Sequence, residues 1–367
     1  MTLYPKLITD ALEMVRYPGH GKNLIEAGMV EDDLRIDGMK VSFSIIFEKN
    51  PDPFMKSLFK NIEATILREV DPAVELTISA KYKQAERPEP GKLLPTVKNV
   101  IAVSSGKGGV GKSTVSANLA IALAARGYNV GLLDADVFGP SIPKMFGLEN
   151  EQIYAHMVDG RQLLIPALKY GVKLLSIGFF VNPETATIWR GSMASNTLKQ
   201  LIADGDWGEL DYLILDTPPG TSDIHLTLLQ TLAITGAVIV STPQEVALAD
   251  ARKGIDMYRN DKVNVPILGL VENMAWFTPA ELPNNRYYIF GKEGATRLAE
   301  ELNAPLLAQI PIVQSICDGG DAGEPVALNP DSITGQAFGA LADAVVEATE
   351  KRNREMAPTQ IVEITTK

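Results

Sequence analysis

Two lysines, Lys107 and Lys112, lie in one glycine-rich stretch that reads Ser104-Ser-Gly-Lys-Gly-Gly-Val-Gly-Lys-Ser-Thr. The stretch matches the phosphate loop of nucleotide-binding proteins, which is Gly, four residues, then Gly-Lys-Ser or Gly-Lys-Thr. Glycines let backbone N–H groups converge on a phosphate, and the helix that follows adds the partial positive charge of its N-terminus. The sequence therefore predicts a phosphate-binding site formed by Gly106, Gly108, Gly109, Val110, Gly111, Lys112, Ser113 and Thr114.

Two of these side chains have specific predicted contacts. Lys112 would reach the β- and γ-phosphates, and the Ser113 hydroxyl would occupy one position on Mg²⁺. The motif works only between a strand and a helix. A short apolar segment at 100–104 precedes it, and alanine and leucine recur at helical spacing over 113–125. Both flanks therefore favour a true phosphate loop over a glycine-rich turn.

Three aspartates end predicted strands near this loop. Asp134 and Asp136 follow an apolar segment and would lie on the same side of an extended chain, because side chains alternate with period two. Asp216 ends a second apolar segment. A carboxylate beside a γ-phosphate can orient the attacking water or hold Mg²⁺, directly or through water. We expect Asp134 and Asp136 to face the γ-phosphate and Asp134 and Asp216 to contribute to the Mg²⁺ site, although each aspartate could instead be a helix cap or a turn residue.

Two further residues are candidates for nucleotide contact. Gly220 lies in the loop after Asp216, where its N–H could bind the γ-phosphate, so that hydrolysis would release the loop. Asn273 follows a predicted strand end, where its amide could read the edge of adenine or serve as a turn residue. The guanine-reading sequence Asn-Lys-x-Asp is not present, which disfavours a GTPase.

Apolar strands alternate with helical segments through most of the chain, which predicts an α/β fold with a mainly parallel sheet covered by helices on both faces. The nucleotide site would then lie at the carboxyl ends of the strands. Residues 141–200 interrupt the alternation and are interpreted as an insertion with strands at 161–168 and 172–177. The strands that form the sheet are predicted at 130–134, 212–215, 237–241, 267–271 and 306–310.

The sequence before this region predicts a separate small α+β domain. Helices are expected at 7–15 and 53–70 and strands at 28–36, 40–47 and 74–81, with a hairpin turn at Asp37-Gly38. The proline-rich segment that follows lacks apolar periodicity and is typical of a linker. The predicted organisation is a small domain at 1–83, a linker at 84–98, a P-loop ATPase domain at 99–355 that ends in a helix, and a polar tail at 356–367.

Composition excludes several classes of protein. The 34 basic and 45 acidic residues give a net charge of −11, which argues against non-specific binding to nucleic acid. The last predicted helix opposes alanines with acids, unlike a membrane-binding helix. No apolar run of about 18 residues and no secretory signal is found, so we expect a cytoplasmic protein without membrane contact. Cys317 is the single cysteine, and the three histidines are too scattered to suggest a metal site: His20, His156 and His225.

The glycine-rich stretch resembles the phosphate loop of the MinD, ParA and nitrogenase iron protein class. In that class two subunits face each other with nucleotide between them. The resemblance implies a homodimer in which Lys107 contacts the partner's phosphates and acts in catalysis, much as an arginine finger does. This implied role accounts for the second lysine of the loop.

Within that class the chain is most similar to the Mrp/ApbC family of iron–sulfur cluster carrier ATPases, and the small first domain resembles the N-terminal module of that family. The resemblance implies slow ATP hydrolysis, with Asp136 positioning water, Asp216 in the Mg²⁺ shell and Asn273 on adenine. It also implies a client apo-protein or an assembly factor as partner. The stretches that carry it are Asp134-Ala-Asp-Val-Phe-Gly-Pro-Ser, Trp189-Arg-Gly, Asp206-Trp-Gly-Glu-Leu-Asp-Tyr-Leu-Ile-Leu-Asp-Thr-Pro-Pro-Gly-Thr, Val271-Glu-Asn-Met and Ile289-Phe-Gly-Lys.

One feature departs from the family pattern. Cluster carriers of this family have Cys-x-x-Cys between the Glu-Asn-Met and Phe-Gly motifs, whereas residues 275–288 of this chain contain no cysteine. Iron–sulfur clusters are normally held by four thiolates. The sequence therefore predicts no cluster ligand. It leaves three alternatives: a carrier that relies on client ligands, a nucleotide-switched adaptor without a cluster, and a positioning ATPase of the MinD or ParA type.

Overall fold

The computed structural model describes residues 3–18, 21–31, 33–47, 52–82, 93–180, 191–279, 281–282 and 284–362. Contacts divide the chain into two compact units, Met1–Glu89 and Pro90–Lys367. The described helices are α1 (Pro5–Glu13), α2 (Met55–Glu69), α3 (Lys112–Ala124), α4 (Ile142–Met145), α5 (Gly191–Asp204), α6 (Asp223–Thr231), α7 (Glu245–Arg259), α8 (Gly294–Glu301), α9 (Gln314–Ala322) and α10 (Ile333–Glu355). The described strands are β1 (Arg35–Asp37), β2 (Lys40–Phe47), β3 (Glu75–Tyr82), β4 (Val97–Ser104), β5 (Val130–Asp134), β6 (Ala155–Val158), β7 (Arg161–Leu164), β8 (Ala167–Lys169), β9 (Val172–Ser176), β10 (Leu210–Asp216), β11 (Gly236–Ser241), β12 (Ile267–Phe277) and β13 (Leu306–Ile312).

The first unit packs α1 and α2 on a sheet ordered β1-β2-β3, in which β2 runs antiparallel to β1 and parallel to β3. The strand predicted at 28–36 is broken in the structure: Val30 forms only an isolated bridge to Ile45, and continuous pairing with β2 begins with the last residues of the prediction. Before them the Asp33 carboxylate accepts hydrogen bonds from the Ser44 N–H (2.9 Å) and hydroxyl (2.7 Å). A side chain thus replaces the backbone at this point and interrupts the ladder.

The second unit contains the large sheet, whose described strands are ordered β13-β12-β11-β4-β10-β5-β9-β8. Neighbouring strands are parallel except at the β8–β9 edge. Helices α5 to α8 pack on one face and α3 and α10 on the other. The predicted α/β fold with helices on both faces is therefore confirmed. His20, most of the predicted linker and the Trp189-Arg190 part of the quoted motif lie outside the described residues.

Two predictions for the region 141–200 were wrong. The single strand expected at 161–168 divides into β7, which forms a hairpin with β6, and β8, which joins the edge of the large sheet. Pro166 lies between them and has no N–H to continue a ladder. The strand expected at 172–177 does not belong to an insertion, because β9 pairs directly with β5 in the large sheet.

The end of the chain also differs from the predicted polar tail. Residues beyond α10 turn back onto the domain, where Val362 is buried and its N–H donates to the Leu229 carbonyl (3.0 Å). Burial of this apolar side chain favours packing of the segment against the domain. Residues 363–367 lie outside the described part, and Val97 and Lys98, expected in the linker, begin β4. No described helix has the length and apolar character needed to cross a membrane.

Candidate nucleotide-binding site

The glycine-rich loop joins the carboxyl end of β4 to the first residue of α3. Gly111 caps α3 in the left-handed region (φ 81°), and a β-carbon there would lie 2.2 Å from Asn273 Nδ2. A β-carbon on Gly106 would lie 2.1 Å from the backbone carbonyl carbon of Asp250 in α7. The glycines therefore let the loop pack directly against β12 and α7, which hold its backbone in place beneath the N-terminus of α3.

Lys112 and Ser113 converge with Asp216, although Asp216 is more than 100 positions away at the end of β10. Lys112 Nζ lies 2.7 Å from Asp216 Oδ1, and the Ser113 hydroxyl donates to Oδ2 at 2.7 Å. Lys112 and Asp216 are both buried, so water screens their attraction only weakly. The structure thus places the lysine and the hydroxyl in contact with one of the three predicted carboxylates, Asp216, and brings the other two near them.

Ser113 and Asp216 have the chemistry that Mg²⁺ requires. Both offer hard oxygen atoms, and Mg²⁺ in phosphate sites is typically held by one or two such side chains together with phosphate oxygens and water. Among the described residues, no group of three or more His, Cys, Asp or Glu side chains could hold a metal ion alone. The donor set therefore fits an ion that enters with a phosphate ligand.

Asp134 is enclosed by hydrogen-bond donors of the protein. Its carboxylate is fully buried and accepts hydrogen bonds from the Ser176 hydroxyl (2.9 Å), the Asp136 N–H (3.2 Å) and the Ile142 N–H (3.4 Å). Burial, and next the nearby Asp216 carboxylate, raise its pKa. Protein donors occupy both oxygens, so that Asp134 supports the chain around Asp136 in this conformation, and its place beside a γ-phosphate or Mg²⁺ stays a prediction.

Asp136 is the more accessible member of the pair. It lies beyond the end of β5, and its side chain is half-buried. Burial raises the pKa of Asp136 and outweighs the nearby Lys112 ammonium, which acts in the opposite direction. A carboxyl with a raised pKa accepts a proton more readily, which suits a group that orients and deprotonates water.

Gly220 and Asn273 both contact the phosphate loop. The Gly220 N–H, expected to bind a phosphate, donates instead to the Ser105 carbonyl (2.8 Å). Asn273, expected after a strand end, lies inside β12, and its Nδ2 donates to the Val110 carbonyl (2.8 Å). In this conformation both residues brace the loop backbone, and the adenine contact of Asn273 stays a prediction.

Lys107 and Cys317 lie apart from these residues. Lys107 is half-buried on the loop, and in the described part of the chain its ammonium group forms no ion pair. Cys317 is exposed on α9, 3.8 Å from Asp321 Oδ2. Both side chains are thus open to groups from outside the chain.

The sequence pattern did not identify several polar residues near the site. The Ser116 hydroxyl donates to Asp216 Oδ1 (2.6 Å), and the buried Glu272 accepts from the Ala295 N–H (2.7 Å) at the start of α8. Ser116 could have been found, because it lies three residues after Ser113 on the same face of a helix. Ser176 could not, because its role depends on the pairing of β9 with β5.

His225 is the buried histidine of this region. The Ser222 N–H donates to its Nδ1 (3.2 Å), which places the proton of the neutral ring on Nε2. Nε2 is buried, and none of the described residues lies at hydrogen-bond geometry to it. Burial, followed by the positive charge of Lys112, lowers the pKa of His225 to about 4. The imidazole is therefore neutral at pH 7.

This shift makes stability depend on pH. Between the ordinary pKa of 6.5 and the folded value of about 4, the unfolded chain binds a proton that the folded chain excludes. We expect the free energy of unfolding to fall by about 3 kcal/mol as the pH decreases through this window, at about 1.4 kcal/mol per pKa unit. Urea unfolding from pH 7.5 to 4 measures it.

A His225→Gln variant provides the control, because glutamine at this position can still accept the Ser222 N–H. The raised pKa of Asp134 acts in the opposite direction in both proteins and cancels in the comparison. The difference between the two proteins should therefore change with pH. Parallel stability curves for the wild type and His225→Gln would contradict the prediction.

Two family models match this chain. Residues 96–346 match the NUBPL iron-transfer P-loop NTPase model, and residues 6–78 match a model described as an iron–sulfur cluster assembly protein. The first match covers the second unit from the start of the large sheet to within α10, including each of the site residues described above.

Known proteins give the same result. An iron–sulfur cluster carrier protein of Synechocystis is 41% identical over 346 residues, which cover 92% of this chain and 97% of that protein. An iron–sulfur cluster transfer protein, NUBPL, of Dictyostelium discoideum is 45% identical over 260 residues, 71% of this chain and 79% of its own. A solved nucleotide-binding protein of Archaeoglobus fulgidus, in complex with ADP, is 39% identical with a TM-score of 0.56, covering 64% of this chain and 90% of its own.

Proposed function

We propose, because this chain belongs to the family of NUBPL iron-transfer P-loop NTPases, that it binds and hydrolyses ATP as a homodimer and transfers iron–sulfur clusters to client proteins. The observation that carries the nucleotide part is the convergence of Lys112, Ser113 and Asp216 at the head of the phosphate loop. The cargo is inferred from the names of the relatives.

ATP binding would rearrange the buried ion pair. Lys112 can neutralise a phosphate only by leaving Asp216, and its departure frees the Asp216 carboxylate beside the Ser113 hydroxyl. These two groups would then hold Mg²⁺, which, when bound, neutralises charge on the phosphate oxygens. The exchange would also move the loop that follows Asp216, because the Gly220 N–H in that loop donates a hydrogen bond to the carbonyl of Ser105 at the phosphate loop.

Hydrolysis would need groups from both subunits. Asp136 orients the attacking water in its own subunit, and Lys107 places its ammonium on the partner's triphosphate. The half-buried position of Lys107 supports this role, because its ammonium group forms no ion pair among the described residues and is available to a partner subunit. Closing and opening of the dimer would couple ATP turnover to binding and release of the cargo.

The cargo would have to be held in an unusual way. One exposed cysteine per chain, Cys317, gives a dimer two thiolates, fewer than the four that a cluster normally takes. The remaining ligands would come from the client, so that the dimer holds a cluster only while the client also contacts it. Transfer of the cluster to the client would then need no separate release step, because the dimer alone would never supply all of its ligands.

Anaerobic reconstitution tests this proposal. The chain is incubated with iron, sulfide and ATP, with and without glutathione as a source of the missing thiolates, and iron and sulfide are measured after gel filtration. We expect a cluster only with glutathione, at about one per dimer, the stoichiometry of a site shared by two chains. The Cys317→Ser variant should lose it while still hydrolysing ATP.

Two results would contradict this assignment. A cluster that survives in Cys317→Ser would place the ligands elsewhere, and no cluster under any condition would leave a nucleotide-switched adaptor as the function. Hydrolysis measured in parallel keeps the two halves of the proposal separate, because neither result removes the ATP site.

A further inference from the structure

A cavity of about 650 Å³ lies on the edge of the second unit that is remote from the phosphate loop. One side is formed by Lys262, Val263 and Pro266, just before the amino end of β12, and the other by Arg352 and the segment 356–362 that follows α10. The phosphate loop leaves the opposite, carboxyl end of the parallel strands. The cavity is therefore separate from the nucleotide site.

Arg352 carries an uncompensated charge in the wall of this cavity. Its side chain is buried, with 8% of the residue exposed, and within the described residues no carboxylate pairs with it. Burial lowers the pKa of Arg352, because its surroundings oppose the positive charge. A guanidinium does not lose its proton on burial, so the charge of a buried arginine is normally compensated by an anion.

The hydrogen bonds of Arg352 explain only part of its position. Its Nη2 donates to the Ala357 carbonyl and the Thr359 hydroxyl, each at 2.7 Å, and its Nη1 donates to Asn353 Oδ1 at 3.1 Å. These neutral acceptors fix the returning segment against α10. They do not supply a counter-charge, and within the described part of the chain the buried Nε has no hydrogen-bond partner. Contacts among the described residues therefore leave both a charge and a donor unsatisfied.

The rest of the cavity defines what would satisfy them. Lys262 adds a second, exposed cation at the mouth, while Val263, Pro266 and Ile361 provide apolar walls. The volume lies within the range of small-molecule sites, about 300–1,000 Å³. A second cavity of about 310 Å³ shares Arg352 and Thr359 and extends the space on the other side of the guanidinium. A small molecule with an anionic group and an apolar body fits this combination of volume and lining.

We propose that this cavity binds a small molecule through a carboxylate or phosphate group, which accepts hydrogen bonds from the Arg352 guanidinium and is approached by Lys262. An oxyanion is the natural partner of this guanidinium, because charge-assisted hydrogen bonds are strong and Nη1 keeps one N–H beyond the one that it donates to Asn353. The bound molecule would join the segment 356–362 to the connection between α7 and β12. Its occupancy would thus stabilise the end of the chain without contact with the nucleotide site.

Calorimetric titration with inorganic phosphate and with malonate, at constant ionic strength, tests the proposal and distinguishes the two anion types. Arg354→Gln is the matched control, because Arg354 is exposed on the same helix and its substitution removes the same charge. Lys112→Ala removes the phosphate loop's contribution. We expect wild type, Arg354→Gln and Lys112→Ala to share a binding event that Arg352→Gln weakens at least about ten-fold, as expected for loss of a charge-assisted contact.

The NMR resonance of the Arg352 Nε–H gives a second measurement. This titration uses the wild-type protein, so it does not depend on whether an Arg352 variant folds. In wild-type protein labelled with ¹⁵N-arginine, this signal should shift on addition of the same anion that binds in the calorimeter. Absence of binding by both anions, binding that Arg352→Gln leaves unchanged, binding abolished by Lys112→Ala, or a stationary Nε–H signal would each overturn the proposal.

Discussion

Replacement of Lys107 by alanine is expected to lower ATP hydrolysis by about 10³-fold, the lower range for loss of a charged group donated to a phosphoryl transition state. ATP affinity of the single subunit should change little, because Lys112, Ser113 and the loop backbone remain. The Lys107 backbone carbonyl accepts a hydrogen bond from the Ser105 hydroxyl (3.0 Å), so the truncation leaves the fixed part of the loop intact. Steady-state turnover and binding of a fluorescent ATP analogue measure the two effects separately.

Mixing two inactive variants shows whether Lys107 acts across the dimer. In a mixed dimer of Lys107→Ala and Asp136→Asn, one site combines an intact Asp136 with the partner's intact Lys107. If subunits exchange freely, half of the dimers are mixed and one site in each is complete, so about a quarter of the wild-type rate should return. A lysine that acts within its own subunit would give no recovery, and that result would contradict the dimeric mechanism.

The Asp136→Asn substitution is expected to reduce turnover by about 10²–10⁴-fold, the usual contribution of a group that takes a proton from the nucleophile. Asparagine keeps the size of the side chain and the backbone N–H that donates to Asp134, but it cannot accept a proton. ATP affinity should therefore persist while hydrolysis is lost. Single-turnover measurements with saturating enzyme separate this chemical defect from slower product release.

Asp211→Asn is a suitable control for Asp136→Asn. Asp211 is also a strand carboxylate, but it lies at the amino end of β10, where it pairs with Lys98 at 2.7 Å. Its removal should leave turnover unchanged within experimental error. If Asp136→Asn retains the wild-type rate, water positioning must be assigned to another group.

The parts of the fold that the sequence predicts well are those with a strong local signal. The strand at 130–134 was found at its observed bounds because an uninterrupted apolar run ends in a charged residue. The phosphate loop was found because its glycines are required by the backbone itself. In both cases the residues that determine the structure are adjacent in the chain.

Features that depend on distant partners could not be read in this way. The burial of Asp134 follows from Ser176 on β9, which pairs with β5 only in the folded sheet. Asn273 seemed to follow a strand end, but Met274 adopts a positive φ of 57° and the strand continues to Phe277. Neither residue carries a local pattern that distinguishes these arrangements from the predicted ones.

The ion pair between Lys112 and Asp216 also determines the order in which ligands can enter. While the ammonium group pairs with Asp216, a free divalent cation would meet a carboxylate whose charge is already balanced, whereas a triphosphate would offer the lysine a stronger counter-charge. We therefore expect the metal to enter together with the nucleotide. In a protein that transfers iron–sulfur clusters, this order would prevent free ferrous ions from binding at the proposed Mg²⁺ site.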